Sequence, residues 1–261
     1  MHLEIITRKP PGTPRPTPLL FIHGSWHGAW CWDEYFLPYF AEQGYIAHAM
    51  SLRGHGKSSG DHELRWATVA DYVADVEQVA RILEGIPVLI GHSLGGYVVQ
   101  KYLEGRRAAA AVLLASLPVT GMLAFTLRHL QRYPGSMLKT ALSLNPYYMV
   151  GTPKINKAVF FSPDVPQEQF ERYYEQMQRE SFRIALDAAL LDLPKPVRVN
   201  TPMLVLGAAN DQIFTREEQE NTATAYNTTA EFFPMAHDMM LEPGWQAVAD
   251  RILVWLHWKG L

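Results

Sequence analysis

Residues 88–97 constrain the fold more than any other part of the chain. They combine an apolar run typical of a buried strand with a Gly-x-Ser-x-Gly turn at Gly91, Ser93 and Gly95, and apolar residues at helical spacing follow. A serine at such a strand–turn–helix junction takes a strained backbone conformation, and the two glycines let the strand and helix pass closely. The pattern predicts a sharp turn that presents the Ser93 hydroxyl as a nucleophile.

Seven apolar segments bounded by turn residues predict the strands of one sheet. They are Leu3 to Thr7, Leu19 to His23, Tyr45 to Met50, Pro87 to Gly91, Ala110 to Ala115, Met203 to Gly207 and Ala230 to Phe233. Helical periodicity separates several of them, notably over residues 67–84, and also marks the last helix. This alternation predicts an α/β fold with a mostly parallel central sheet that helices cover on both faces.

The alternation stops in residues 117–201, where helical periodicity continues without a convincing strand. This segment is rich in aromatic residues and methionine, most of which we expect to pack within a small helical subdomain. Because the segment follows the strand after the Ser93 turn, we expect it to cover the mouth of the site. The sequence therefore predicts a core of residues 1–116 and 202–261 and a helical cap of residues 117–201.

Composition narrows the classes of partner. The formal net charge of −3 over 261 residues gives no electrostatic reason to expect nucleic acid or an anionic membrane. No apolar run approaches the ~20 residues that a membrane helix needs, and residues 1–20 lack the apolar region of a signal peptide, so we expect no membrane span and a cytoplasmic protein. The single cysteine, Cys31, excludes an intrachain disulfide and is expected to be a buried, inert thiol.

A serine nucleophile needs a base, and three histidines follow Ser93 in the chain. His129 lies among leucines of the predicted cap, and His257 lies within the last helix. His237 alone stands on a loop after a predicted strand, where a structural histidine is the alternative interpretation. We therefore predict His237 as the general base.

The orienting acid should also follow a strand. Asp211 stands on the loop after the buried strand Met203 to Gly207, which makes it the leading candidate. Asp238 adjoins His237, but neighbouring residues on one loop rarely direct a carboxylate at the adjacent imidazole, so we interpret Asp238 as a loop or helix cap. Asp187 and Asp192 lie in or near the cap and are weaker candidates.

Two backbone amides are expected to bind the oxyanion that forms on a substrate carbonyl. One belongs to Leu94, which starts a helix where unpaired amides and the helix dipole favour negative charge. The other belongs to Ser25, after the strand Leu19 to His23. Trp26 is expected to flank the substrate pocket.

Other polar motifs have structural interpretations. We expect His23 and His92 to hold backbone groups by hydrogen bonds, because no further ligand stands at metal-binding spacing; we predict no metal and no cofactor. The segment from Arg53 to Gly60 lacks the spacing of a phosphate-binding loop, so we expect a turn stabilised by Arg53 and His55.

These motifs together resemble the α/β-hydrolase superfamily over nearly the whole chain. The segments His23 to Trp26, Arg53 to Ser58 and Gly91 to Gly96 and the pair Asp211 and His237 occur in that family's order. Residues 23–30 also resemble the methylesterase and hydroxynitrile lyase branch, whereas Arg53 to Gly56 and the longer cap resemble bacterial esterases and lysophospholipase-like members, so the subfamily stays open. Lyase members typically place a lysine after the catalytic histidine, whereas this chain has Asp238. Epoxide and haloalkane hydrolases use an aspartate where Ser93 stands.

The resemblance implies a serine esterase or lipase-like hydrolase that cleaves a small-molecule carboxylic ester through an acyl-enzyme on Ser93. The ester is expected to have an apolar acyl or alcohol group. Two alternatives share the fold: a cofactor-free perhydrolase or haloperoxidase, and a ligand receptor with slow turnover. The sequence leaves the physiological substrate and the oligomeric state open.

Overall fold

A computed structural model describes all residues, from Met1 to Leu261. The strands are β1 (Ile5–Arg8), β2 (Leu19–Ile22), β3 (Ala47–Met50), β4 (Val88–His92), β5 (Ala110–Leu114), β6 (Met203–Ala208) and β7 (Ala230–Phe233). The helices are α1 (Trp30–Asp33), α2 (Phe36–Glu42), α3 (Val69–Ala80), α4 (Leu94–Leu103), α5 (Leu123–Arg132), α6 (Pro134–Ser143), α7 (Pro153–Phe160), α8 (Gln167–Glu175), α9 (Phe182–Leu186), α10 (Arg216–Ala225) and α11 (Trp245–Trp258). All seven predicted strands are present, with ends shifted by a few residues.

The seven strands form one sheet in the order β1-β3-β2-β4-β5-β6-β7. Only β1 runs antiparallel to its neighbour; every other pair is parallel. The inner strands β2, β4, β5 and β6 are buried along their whole length, whereas β7 at the edge is partly exposed. These inner strands read as continuous apolar runs because helices cover both faces of a parallel sheet. The predicted fold class is confirmed.

Helix ends follow the local chemistry. Thr68 caps α3: its hydroxyl accepts a hydrogen bond from the Asp71 amide, and the Asp71 carboxylate accepts one from the Thr68 amide. The proline-rich segment before residue 19 is the loop between β1 and β2.

None of the helices combines the length and the hydrophobicity that crossing a bilayer demands.

Residues 117–201 contain five helices, α5 to α9, and no strand, and α9 continues into a π-helical turn over Asp187–Leu191. Hydrogen bonds join this helical insertion to the core. The Gln178 amide donates to the Trp26 carbonyl over 2.8 Å, and the Ser181 hydroxyl donates to the Ala67 carbonyl over 2.7 Å. The insertion thus contacts the loop that leaves β2.

Candidate active site

Ser93 lies at the turn between β4 and α4 with a positive φ of 51° and a ψ of −117°. Such a conformation is strained for a residue with a Cβ and persists only where the surroundings fix it. A Cβ added to Gly91 would lie 2.5 Å from the Gly95 carbonyl oxygen, and one added to Gly95 would lie 2.3 Å from the Ile22 carbonyl oxygen. The two glycines therefore permit the close passage of β4, α4 and β2 that holds Ser93 at the turn.

His237 and Asp211 form a buried pair. Their side chains are joined by a hydrogen bond of 2.8 Å between His237 Nδ1 and Asp211 Oδ2, and neither is more than 1% exposed. The other carboxylate oxygen of Asp211 accepts hydrogen bonds from the amides of Ile213, over 2.7 Å, and Phe214, over 3.2 Å. These bonds fix the carboxylate, so that it can hold the imidazole in one orientation with Nδ1 protonated.

The second ring nitrogen of His237, Nε2, is buried and makes no hydrogen bond; none joins it to the Ser93 hydroxyl in this structure. The ring lies among the rings of His92, Phe160 and Phe214, with centroids 4.8 to 5.9 Å away. With Nδ1 committed to Asp211, Nε2 is the nitrogen that is free to accept a proton.

The amides predicted to bind an oxyanion stand beside Ser93. Ser25, Trp26 and Leu94 line the same cavity as Ser93. The Ser25 amide has no acceptor within the chain, and Leu94 is the first residue of α4, where amides have no intrahelical acceptor. Two unpaired donors therefore lie close to the Ser93 turn.

The cavity at Ser93 is small and mostly apolar. Its volume is about 30 Å³, which is enough for one or two water molecules. Residues of the insertion form much of its wall, and those of the core complete it: Leu117, Met122, Phe125, Pro146, Met149, Glu180, Ile184, Ala185, Ile213 and Phe214. A larger ligand must displace some of these side chains.

The interpretation of Asp238 as a cap is wrong. Asp238 is fully buried, and its Oδ2 lies 3.0 Å from Nε2 of His27, which is also fully buried. His27 Nδ1 in turn lies 2.7 Å from the Ser25 carbonyl oxygen, to which it donates. Burial opposes ionisation of both groups, but mutual attraction outweighs it, raising the pKa of His27 and lowering that of Asp238. The loop with His237 is thereby joined to the loop with Ser25.

The histidines next to the turns hold backbone groups, as predicted. His23 Nε2 accepts from the Leu52 amide over 3.0 Å, and His92 Nε2 lies 3.0 Å from the His237 carbonyl oxygen, to which it donates. Burial, with His237 next to it, lowers the pKa of His92 to about 3. His92, His237 and Asp238 lie close enough for their polar atoms to share an ion. One polar atom of each is engaged, with a backbone carbonyl, Asp211 and His27 respectively, whereas the other, His92 Nδ1, His237 Nε2 and Asp238 Oδ1, is buried without a hydrogen-bond partner.

The turn that begins at Arg53 is stabilised as expected: the Arg53 guanidinium binds Asp75 over 2.7 Å and Asp71 over 2.8 Å. His55 accompanies it, with Nδ1 3.0 Å from the Arg53 carbonyl oxygen. Glu180, which was not among the predicted residues, faces His55 from the insertion. No local signal identifies that contact.

None of the other polar candidates lines the cavity at Ser93. His129 is bonded through Nε2 to the Met149 carbonyl over 2.9 Å, and His257 is exposed on α11. Asp187 accepts from the Val69 amide over 3.1 Å, and Asp192 pairs with Lys101 over 2.7 Å. Cys31 is fully buried, and burial raises the pKa of its thiol.

Comparison with known proteins identifies the family of this chain. The family model described as "Alpha/beta hydrolase family" matches residues 19–251. A pheophorbidase from Raphanus sativus is 28% identical over 85% of this chain and 80% of that protein. Methylesterase 1 from Arabidopsis thaliana is 27% identical over 56% of each chain. A non-heme chloroperoxidase from Burkholderia pyrrocinia is 36% identical over 39% of this chain and 37% of that protein.

Solved structures agree on the fold. A monoacylglycerol lipase from Paleococcus ferrophilus superposes with a TM-score of 0.74 at 20% identity, covering 99% of this chain and 100% of that one. An esterase from Exiguobacterium antarcticum gives 0.74 at 18% identity, covering 98% and 95%. The matched family model, the relatives and the sheet topology lead to one conclusion: the chain belongs to the alpha/beta hydrolase family.

Proposed function

We propose that the protein is a serine hydrolase that cleaves carboxylic esters through an acyl-enzyme on Ser93. The hydrogen bond of 2.8 Å between His237 and Asp211, which leaves Nε2 of His237 unpaired near the strained Ser93 turn, carries this proposal. The relatives named pheophorbidase and methylesterase support ester hydrolysis as the reaction class.

The roles of the site residues follow from their chemistry. His237 Nε2 removes the Ser93 proton, and the Ser93 oxygen attacks the ester carbonyl. The amides of Ser25 and Leu94 bind the resulting oxyanion. His237 returns its proton to the departing alcohol, and then activates the water that releases the acid. Asp211 holds the imidazole and stabilises its cation. The missing bond between Ser93 and His237 is compatible with these roles, because catalytic hydrogen bonds often tighten only when substrate is bound.

The insertion has the role of a cap in this proposal. Met122, which directly precedes α5, Phe125 on α5 and Met149 after α6 supply apolar surface to the cavity. Unbranched methionine side chains adapt to ligands of different shape. The small volume of the cavity implies that the cap side chains move when an ester enters. Trp26, 6% exposed and packed against Phe160, completes the apolar wall on the side of the oxyanion amides.

The partial similarity to a chloroperoxidase supports a second candidate function, in which hydrogen peroxide accepts the acyl group. The same three residues would then transfer the acyl group from Ser93 to peroxide instead of water. Bromination that depends on both halide and a carboxylic acid, and that is lost in the Ser93→Ala variant, would reveal this activity.

Steady-state hydrolysis of 4-nitrophenyl esters from acetate to palmitate tests the proposal. We expect Ser93→Ala and His237→Gln each to lower kcat by at least on the order of 10⁴-fold, because the nucleophile and base act as a unit. Ser116→Ala is the control: Ser116 is fully buried, whereas Ser93 is partly exposed; the Ser116 hydroxyl bonds to Gln100, and Ser116 does not line the cavity. Equal activity of Ser93→Ala and Ser116→Ala would overturn the proposal.

A further inference from the structure

The loop after β2, which carries the Ser25 amide, contains a strained turn. Gly24 begins the turn and His27 ends it, with the His27 amide nitrogen 3.4 Å from the Gly24 carbonyl oxygen. Trp26, at the third position of the turn, has a φ of 66°. A positive φ at that position is typical of a type II turn and favours glycine, so a tryptophan there is strained and persists only where other contacts hold it.

The His27 side chain provides such a contact. Its Nδ1 donates to the Ser25 carbonyl oxygen over 2.7 Å, which fixes the peptide group between Ser25 and Trp26. No backbone amide donates to that carbonyl. The His27 ring is fully buried and stacks on Trp30, with ring centroids 5.5 Å apart. The conformation of the turn therefore depends on where this imidazole is held.

Asp238 holds the imidazole from its other side, with Oδ2 3.0 Å from His27 Nε2. Both ring nitrogens of His27 face an oxygen, and only the imidazolium form donates to both; the raised pKa of His27 agrees with that form. Asp238 directly follows the predicted base His237, and its own amide donates to the Phe160 carbonyl over 3.0 Å. A chain of hydrogen bonds thus joins the loop of the base to the turn that carries the oxyanion amide.

We propose that His27, held by Asp238, is a positioning residue: its Nδ1 proton keeps the turn in the conformation that directs the Ser25 amide at the oxyanion. This inference rests on the proposed ester hydrolysis at Ser93. Neither His27 nor Asp238 lines the cavity, so each acts through Ser25 and not on the substrate. An oxyanion donor stabilises the transition state more than the bound ester, so a misplaced Ser25 amide lowers kcat and changes KM little.

Two substitutions of His27 separate positioning from stability. The side-chain amide nitrogen of asparagine can replace Nδ1, and that of glutamine can replace Nε2. His27→Asn thus keeps a donor for the Ser25 carbonyl and leaves Asp238 unpaired, whereas His27→Gln does the reverse. An unpaired buried carboxylate costs more free energy than an unpaired carbonyl. We therefore expect kcat to fall more in His27→Gln and stability to fall more in His27→Asn.

His55 provides the matched control. It is also fully buried, its Nδ1 lies 3.0 Å from the Arg53 carbonyl oxygen two residues earlier, and its Nε2 lies 3.5 Å from a Glu180 oxygen. The same kind of histidine, with a carbonyl on one side and a carboxylate on the other, thus holds a turn without an oxyanion amide. His55→Gln removes these contacts away from Ser25.

Three measurements apply to each variant: hydrolysis of 4-nitrophenyl hexanoate, inhibition by a hexyl trifluoromethyl ketone and urea unfolding. The adduct of the ketone with Ser93 places an oxyanion at the same amides. We expect His27→Gln to lower kcat by about 10- to 100-fold, to raise the inhibition constant of the ketone by a similar factor, and to change KM by less than about 3-fold. His27→Asn should lose less activity but unfold at a lower urea concentration than His27→Gln. His55→Gln should keep kcat within about 3-fold of the wild type.

Histidine NMR of the wild type tests the same contact without any variant. Long-range ¹H–¹⁵N spectra at about pH 6 should show both ring nitrogens of His27 protonated, because its pKa is raised above 6.5. A His27 Nδ1 that carries no proton cannot donate to the Ser25 carbonyl, and this result would overturn the positioning role.

The outcomes separate this role from the proposed function. If the wild type hydrolyses the ester but kcat of His27→Gln stays within about 3-fold of it, or if the losses of kcat follow the losses of stability, the role of His27 is wrong and ester hydrolysis stands. An equal loss of kcat in His55→Gln also overturns the role, because any buried histidine would then have the same effect. A wild type that does not hydrolyse the ester contradicts the proposed function, and with it this inference.

Discussion

The sheet that carries the Ser93 turn and the helical insertion above it differ in how their positions are fixed. Strands β2, β4, β5 and β6 are buried at every residue, and close backbone contacts at Gly91 and Gly95 leave no room for adjustment. The insertion exposes more than half of Leu127, Leu138 and Leu142. Tight packing resists displacement, whereas exposed helices have fewer contacts to lose. We infer that the core fixes the chemistry and the insertion tunes which ester enters.

Among the substitutions that compare the core with the insertion, the largest effect is expected at Asp211, the carboxylate that orients His237. Asp211→Asn preserves an oxygen for the Ile213 amide but places an amide group at His237 Nδ1, which favours the wrong tautomer. We expect kcat for a 4-nitrophenyl ester to fall by about 10³- to 10⁴-fold. Asp192→Asn, which alters a carboxylate of the insertion paired with Lys101, should change kcat by less than about 3-fold. Similar losses in both variants would refute the division between core and insertion.

The buried pair of His27 and Asp238 gives the next largest effect, on stability. Breaking it with Asp238→Asn should cost about 3 kcal/mol in the free energy of unfolding near pH 5.5. Because the pKa of His27 is raised above its ordinary 6.5, its contribution is complete below that pH and is lost as pH rises through the folded value. Because the pKa of Asp238 is lowered from 3.8, its contribution is lost only in stronger acid.

Urea unfolding at about pH 5.5 and pH 9 measures this difference. The difference in free energy of unfolding between wild type and Asp238→Asn should be smaller at the higher pH. Asp75→Asn is the control, since Asp75 is buried but pairs with Arg53, which keeps its charge across this range. The difference in free energy of unfolding between wild type and Asp75→Asn should be the same at both pH values. If the difference for Asp238→Asn is also the same at both, His27 carries no charge.

Substitutions of two glycines test how the packing of the core differs from that of the insertion. Gly95→Ala places a Cβ 2.3 Å from the Ile22 carbonyl oxygen, so we expect a loss of about 1 to 3 kcal/mol or more in the free energy of unfolding. Gly135→Ala in α6 meets no atom within 4 Å and removes a flexible residue from a helix. We expect it to stabilise the protein by up to about 1 kcal/mol. If the denaturation midpoints of Gly95→Ala and Gly135→Ala move in the same direction, the proposed difference in packing between core and insertion is wrong.

The smallest effect concerns selectivity. Met122→Ala enlarges the cavity from the insertion side, so we expect kcat/KM for long-chain 4-nitrophenyl esters to rise severalfold relative to acetate. Leu142→Ala, at a side chain that is 80% exposed, should leave the chain-length profile unchanged. If Met122→Ala shifts the profile no more than Leu142→Ala does, the insertion does not line the occupied pocket.

The strands and the Ser93 turn were predictable because their signals are local. Apolar runs between turn residues identify β2, β4, β5 and β6, and the spacing of Gly91 and Gly95 around Ser93 identifies the turn. Asp211 and His237 followed from their positions after strands, which topology brings to one edge of the sheet.

The remaining contacts depend on tertiary structure. Asp238 looked like a cap because its neighbours are loop residues, but it meets His27, which lies 211 positions earlier in the chain. Glu180 meets His55 and Tyr72 only because the insertion folds over the core. Neither residue type nor spacing encodes such contacts, so burial of these carboxylates had to be seen in the structure.

Intact-protein mass spectrometry after treatment with a fluorophosphonate tests the central claim most directly. The wild type should gain one covalent adduct, and peptide mapping should locate it on Ser93, because only a serine activated by a neighbouring base reacts rapidly. Ser93→Ala should remain unmodified, while Ser116→Ala should react like the wild type. An unlabelled wild type, or a Ser93→Ala variant labelled at the wild-type rate, would contradict the assignment of the chemistry to this turn.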